Sequence, residues 1–185
     1  MSSARKPVIV RKLNRDWCAG YAAANPTAEP AGLEMLDTSG KLICIDWEQV
    51  KWVCYVREPG AGDSFTALHR ISGEITGHPE RLLRRRFSSR PRVPGVWLRL
   101  TLADGEELEG VAANDRSLVD GAGLLLIPPD TRSNTQRVFI PRSAIRDFTV
   151  LGVISPLPDA RRTGGQQPDP QPELFEKDPG NERLA

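Results

Sequence analysis

The chain has 185 residues, 39% hydrophobic and 26% charged, with a formal net charge of +1. That length holds one ordinary domain or two very small ones, and that charge excludes recruitment of nucleic acid or membrane by bulk electrostatics. No apolar run approaches the roughly 20 residues of a membrane span, and the basic start Met1–Lys12 lacks an apolar signal core. The three cysteines, Cys18, Cys44 and Cys54, form no close pairs; they fit reduced thiols in a cytoplasmic protein.

Taken in order, Val8-Ile9-Val10 predicts a strand, and Asn14-Arg15-Asp16 a hairpin turn leading to Trp17–Tyr21. Ala22–Gly32 reads as a loop. Leu33–Leu36 and Leu42–Ile45 are two further strands about a turn at Asp37–Gly40. Trp47–Val50 is a short turn, and Trp52–Val56 a fifth strand. Glu58–Pro94 changes character. It is Gly-rich at first, has weak strand character at Phe65–Leu68, allows a short basic helix at Pro79–Arg86, and becomes an extended, Pro-interrupted run from Ser88. In Val96–Leu102, Val96, Leu98, Leu100 and Leu102 share one face, with Trp97, Arg99 and Thr101 on the other. Asp104-Gly105 is a hairpin signal. Leu108, Val111 and Ala112 form the return strand, where Gly110 suggests a bulge or sharp bend. Gly123–Ile127, Val138–Ile140 and Ile145–Leu151 complete a second meander, with a tight turn at Pro141–Ala144. After Ile154 the chain is rich in Pro, Gly and Gln and too poor in apolar residues to offset ordering entropy, so 155–185 is expected to be a disordered tail. Leu174-Phe175 within it is a candidate docking motif.

The two meanders repeat. Ile45 and Ile140, Val50 and Ile145, Lys51 and Arg146, and Val53 and Phe148 all lie about 95 positions apart, and Gly20 and Gly110 about 90. The expected fold is all-β. Two tandem small β-barrels, at 6–57 and 95–154, would be joined by the Gly/Arg-rich linker 58–94.

Leu102–Glu106, Leu108-Glu109-Gly110 and Asp115 resemble the first signature of Sm-like barrels, and Val138–Ile145 resembles the strand–turn–strand that closes them. The whole of Val8–Ile154 is similar to an uncharacterised bacterial family, some of whose neighbours are labelled PilZ-like. The resemblance rests on Lys51–Arg57, Asp104–Glu106, Pro128–Asp130 and Ser133–Arg137. It implies Sm/SH3-like barrels and brings no established activity.

Three binding functions are open. The first is a non-enzymatic regulatory or scaffolding module that holds a protein partner. Its candidate contacts are Trp47, Trp97, Asn134 and Arg137, with Trp17 and Trp52 as further exposed aromatics. Each Trp would equally serve as core packing, and Asn114, Asp115, Ser133 and Asn134 as turn formers bonded to their own backbone. The second is a cyclic di-GMP receptor, which the PilZ resemblance implies. Arg81/Arg85 and Arg86/Arg90 would supply the Arg-x-x-x-Arg arm, since guanidinium stacks on guanine and forks onto phosphate. Asp115 and Ser117 would supply the guanine-binding turn, although Asp120 stands where that pattern has Gly, with Gly121 one position late. A solvated basic linker explains the same arginines. The third is Sm-like RNA binding through the cluster Arg81–Arg92, with Arg99 just beyond; only Phe87 interleaves there as a stacking platform. Catalysis is not expected. His69 and His78 have no nucleophile at a recognised spacing, no cysteine–histidine set has zinc-site spacing, and Gly60–Gly62 and Gly121–Gly123 lack the rest of a phosphate loop. No cofactor or metal is expected.

Overall fold

The computed structural model describes residues 5–24, 32–57, 84–130 and 134–155. Ten strands run through them: β1 (Arg5–Lys12), β2 (Trp17–Ala23), β3 (Leu33–Asp37), β4 (Leu42–Ile45), β5 (Val50–Val56), β6 (Gly95–Leu102), β7 (Glu107–Ala112), β8 (Gly123–Ile127), β9 (Thr135–Pro141) and β10 (Ile145–Ile154). Single 3-10 turns lie at Trp47–Gln49, Arg116–Leu118 and Arg142–Ala144, and no α-helix occurs among the described residues. No helix there is long and apolar enough to cross a membrane.

The strands form one antiparallel sheet in the order β10-β6-β7-β8-β9-β5-β1-β2-β3-β4. Each set of five is ordered fifth, first, second, third, fourth, and each has a 3-10 turn between its fourth and fifth strands. The same strand order thus recurs in the two halves. The expectation of two tandem small barrels is met only in its all-β class, for the sheet is not closed. β9 pairs with β5 of the other half, Val53 opposite Phe139 and Cys54 opposite Val138. That edge of β9 is therefore not available to close onto β10, and the sheet stays continuous and open at both ends.

The alternation read in Val96–Leu102 holds: Leu98, Leu100 and Leu102 are fully buried, each worth roughly 1.5–3 kcal/mol of burial. They join Leu108, Leu124, Leu126, Val138 and Ile140 in one core. The other core gathers Val8, Val10, Met35, Ile45 and Val53. β5 belongs to both: Trp52, Cys54 and Val56 face the first, and Val50, Val53 and Tyr55 the second. A strand covered on both faces reads as a continuous apolar run rather than an alternating one. All seven residues of β5 are accordingly buried, Lys51 included.

Two local expectations need correction. Gly110 makes no bulge: the β6·β7 register runs unbroken through Leu98 opposite Gly110. A Cβ there would meet Leu126, and at Gly20 it would fall 2.1 Å from the Leu36 carbonyl oxygen. These glycines permit close approach of packed chain instead. Trp52 is not an exposed aromatic; it is buried, and its indole N–H finds no acceptor among the described residues. Of the stretch 79–86, Arg84–Arg86 are non-helical and 79–83 lie outside the described residues, as do Phe65–Leu68 and 156–185.

Candidate binding site

The second half carries the chain's basic arm, Arg84–Pro94, laid along β7. β8 pairs with β7 only at Val111 and Ala112, so the first part of β7 has an open flank. The arm fills it: the Glu109 N–H donates to the Arg85 carbonyl at 2.7 Å. One side chain fastens the arm. Glu109 is 3% exposed and lies opposite Arg99 in the hairpin. Its Oε2 accepts from the Phe87 N–H at 3.0 Å and from Trp97 Nε1 at 3.2 Å. Its Oε1 accepts from Arg99 Nη2 at 2.9 Å and Nε at 3.2 Å. Burial pushes the Glu109 carboxyl up, but these bonds outweigh it and hold the pKa below the usual value. Phe87 then meets Trp97 edge-on, with centroids 6.1 Å apart. Glu109 was not singled out in the sequence. The turn has three residues, Ala103–Gly105, flanked by Leu102 and Glu106, and this length puts Glu109 opposite Arg99, where a two-residue Asp104-Gly105 turn would put it opposite Leu100.

Around this anchor the arginines are largely engaged. Arg85 pairs with Glu106 and Arg86 with Glu107, and Arg90 donates to the Val153 carbonyl at 3.0 Å. Lys51, reaching across from β5, pairs with Asp104 and with Glu106. Its ammonium sits 4.6 Å from the centre of the Trp52 ring. Burial pushes the Asp104 and Glu106 carboxyls up, but the bonds from Lys51 and its neighbours bring both below their ordinary values.

Two hollows adjoin here. One, of about 360 Å³, is basic and lies along the arm, lined by Arg84, Arg86, Phe87, Arg90 and Arg92. The other, of about 540 Å³, has Leu125, Leu126 and Phe139 in its walls and Asp115, Ser117 and Arg137 as its polar groups. Val111 and Ile127 line both.

The sequence-predicted residues separate. Arg86 and Arg90 stand at the first hollow, Asp115, Ser117 and Arg137 at the second. Arg85 is drawn to Glu106, and Arg81 lies outside the described residues. Asp115 is a turn former: its Oδ1 accepts from the N–H and Oγ–H of Ser117, which holds its carboxyl below the usual range. Asp120 pairs with Arg116 at 2.9 Å, and the positive φ of that loop falls at Gly121. Trp47 packs against Phe139, centroids 5.4 Å apart, and its carbonyl accepts from the Ser143 hydroxyl. Asn134 accepts from the Arg57 N–H through both its backbone and side-chain oxygens. Both residues therefore secure the junction between the halves. Trp97, half-buried, lies under the arm. No disulfide joins the three cysteines; Cys54 is buried and Cys44 exposed, and burial raises the pKa of Cys18.

A family of unknown function, DUF6982, matches residues 4–152. The chain belongs to this family. No curated protein and no solved structure matches it. The match runs from β1 into β10, so the DUF6982 unit comprises both halves of the sheet and the arm between them.

Proposed function

We propose that this DUF6982 chain is a non-catalytic binding module, regulatory or scaffolding, that holds a protein partner in the paired hollows of its second half. The observation that carries the reading is their continuity through Val111 and Ile127. An apolar recess with a few polar groups, beside a basic groove, suits a segment with an apolar anchor and flanking carboxylates. The matched five-strand order of the two halves supports taking each as an Sm/SH3-like small barrel, opened where β9 is shared with β5. Cysteines outside any disulfide are in keeping with a reducing cytoplasm. The test is quantitative affinity capture in cells of the protein's own origin, with Leu125→Glu/Arg137→Glu beside the unaltered chain. A partner that binds the unaltered chain directly after purification, and binds the variant at least about tenfold more weakly, is expected. Equal capture by both would refute the site.

One observation favours a second reading, a cyclic di-GMP receptor: Arg86 and Arg90 line the groove that adjoins the hollow of Asp115 and Ser117. Against it, Arg86 already pairs with Glu107 and Asp115 with its own turn. Calorimetric titration of the nucleotide into the chain and into Arg86→Ala/Arg90→Ala decides it. Heat that only the unaltered chain gives would support the receptor, and no heat would remove it. RNA binding, the third reading, predicts an affinity that falls steeply with salt.

A further inference from the structure

The interface at the middle of the sheet is offered again by its two ends. β5 and β9 pair antiparallel, with Val53 opposite Phe139, Cys54 opposite Val138 and Tyr55 opposite Arg137. By the repeat, β10 is the counterpart of β5 and β4 the counterpart of β9. Yet β10 and β4 are the outermost strands, each paired on one side only.

Their exposure differs accordingly. In β5, Val53 and Tyr55 are buried in a core that Phe139 joins from β9. Their counterparts Phe148 and Val150 lie opposite Leu100 and Leu98, on the core-facing side of β10. They are nevertheless 41% and 54% exposed. On β4, Leu42 is 54% exposed, and Cys44, the counterpart of Phe139, is exposed as well. Of the eight exposed large apolar residues among the described residues, Leu42, Phe148, Val150 and Val153 sit on these two strands. Apolar side chains thus concentrate where backbone N–H and C=O groups are unpaired, the combination that templates strand addition. The register of β10 against β6 is regular over Asp147–Val150, and farther along Arg90 caps the Val153 carbonyl. The open stretch therefore matches the Val53–Val56 stretch that β9 occupies on β5.

We propose that copies of this chain join head to tail, β10 of one against β4 of the next. The register carries over from the internal junction: Phe148 opposite Cys44, Thr149 opposite Ile43, and Val150 opposite Leu42. The contact joins two different edges, so it either closes a ring or continues as a filament. Its occupant is a second copy because the seat it must fill is one this chain already fills for itself at β5·β9. This inference is independent of the hollows and of what they bind.

The test uses the full chain and two exposed-residue variants, Leu42→Lys and Val150→Lys, in sedimentation velocity and light scattering. Assemblies larger than one 20.4 kDa chain are expected for the unaltered protein, and monomers for each variant alone. Mixed together, the variants should give a one-to-one dimer, since one retains a sound β10 and the other a sound β4. Circular dichroism of each variant guards against mere unfolding. Phe148→Cys should form an interchain disulfide with the native Cys44, and Cys44→Ser should abolish it. A monomer at every concentration would overturn the proposal. So would an assembly that Leu42→Lys leaves intact, or mixed variants that stay monomeric.

Discussion

Replacing Glu109 with Gln tests whether one buried carboxylate fastens the basic arm to the sheet. Four N–H groups converge on its two oxygens, from Phe87, Trp97 and, twice, Arg99. Gln keeps the shape but has one acceptor oxygen and turns an NH2 toward two of the donors. Two bonds are lost, and either the half-buried Phe87 and Trp97 donors or the guanidinium goes unmatched. At about 1–1.5 kcal/mol per bond the loss is roughly 2–3 kcal/mol. For a unit of this size that lowers the thermal midpoint by roughly 10 °C at pH 7. The pH dependence follows from the lowered pKa of Glu109. Its contribution is fully present above the unfolded-state value, near 4.5, and is lost as pH falls through the lower folded-state value. The gap between wild type and Glu109→Gln should therefore narrow at pH 3. Tryptic cleavage at Arg84–Arg92 should also be faster in the variant, because the arm is released before the sheet unfolds. Calorimetric midpoints within about 2 °C of each other at pH 7, with equal cleavage rates, would refute the assignment.

Gly20→Ala sets a Cβ against the Leu36 backbone, whereas Gly110→Ala meets only the Leu126 side chain. Unfolding free energies from urea titration should fall by about 3 kcal/mol or more for the first and about 1–2 kcal/mol for the second; the reverse order would contradict the packing. Arg15 holds a positive φ of 74° at the position that Gly105 occupies in the second hairpin. Arg15→Gly should stabilise by roughly 0.5–1 kcal/mol, the relieved strain being partly offset by entropy, and a lower midpoint would count against it. Lys51→Met leaves Asp104 and Glu106 side by side without their shared cation. It should cost about 1–2 kcal/mol at pH 7. Because Lys51 helps hold both carboxyls below their ordinary values, the cost should shrink as pH falls below about 4. A cost unchanged at pH 3 would show that packing, not charge, is at stake.

Much of this was legible in the residues. Asp104-Gly105 and Asn14-Arg15-Asp16 are hairpin turns because few sequences tolerate their backbone, and each turn then sets the pairing of its flanking strands. The offset pairs read in the sequence fall in halves whose strand order is the same. The candidate site was legible only in fragments. Arg86 and Arg90 on one side and Asp115 and Ser117 on the other could be named, but not that Val111 and Ile127 join their hollows. Glu109 stood only within the Leu108-Glu109-Gly110 resemblance, because its burial depends on what the arm covers. Trp52 looked like a surface aromatic, because a β5 packed on both faces cannot be told from an isolated apolar run.

The sequence by itself determined the all-β class, the ten strands and their turns. These are encoded within a few residues of one another, by side-chain period and turn chemistry. Tertiary structure alone decided how the two copies combine. Whether a half closes on itself or lends an edge to its neighbour depends on which of several similar apolar edges meet, and period-two patterning is the same for each. β9 meets β5, so the sheet runs on as one and leaves β4 and β10 open at its ends.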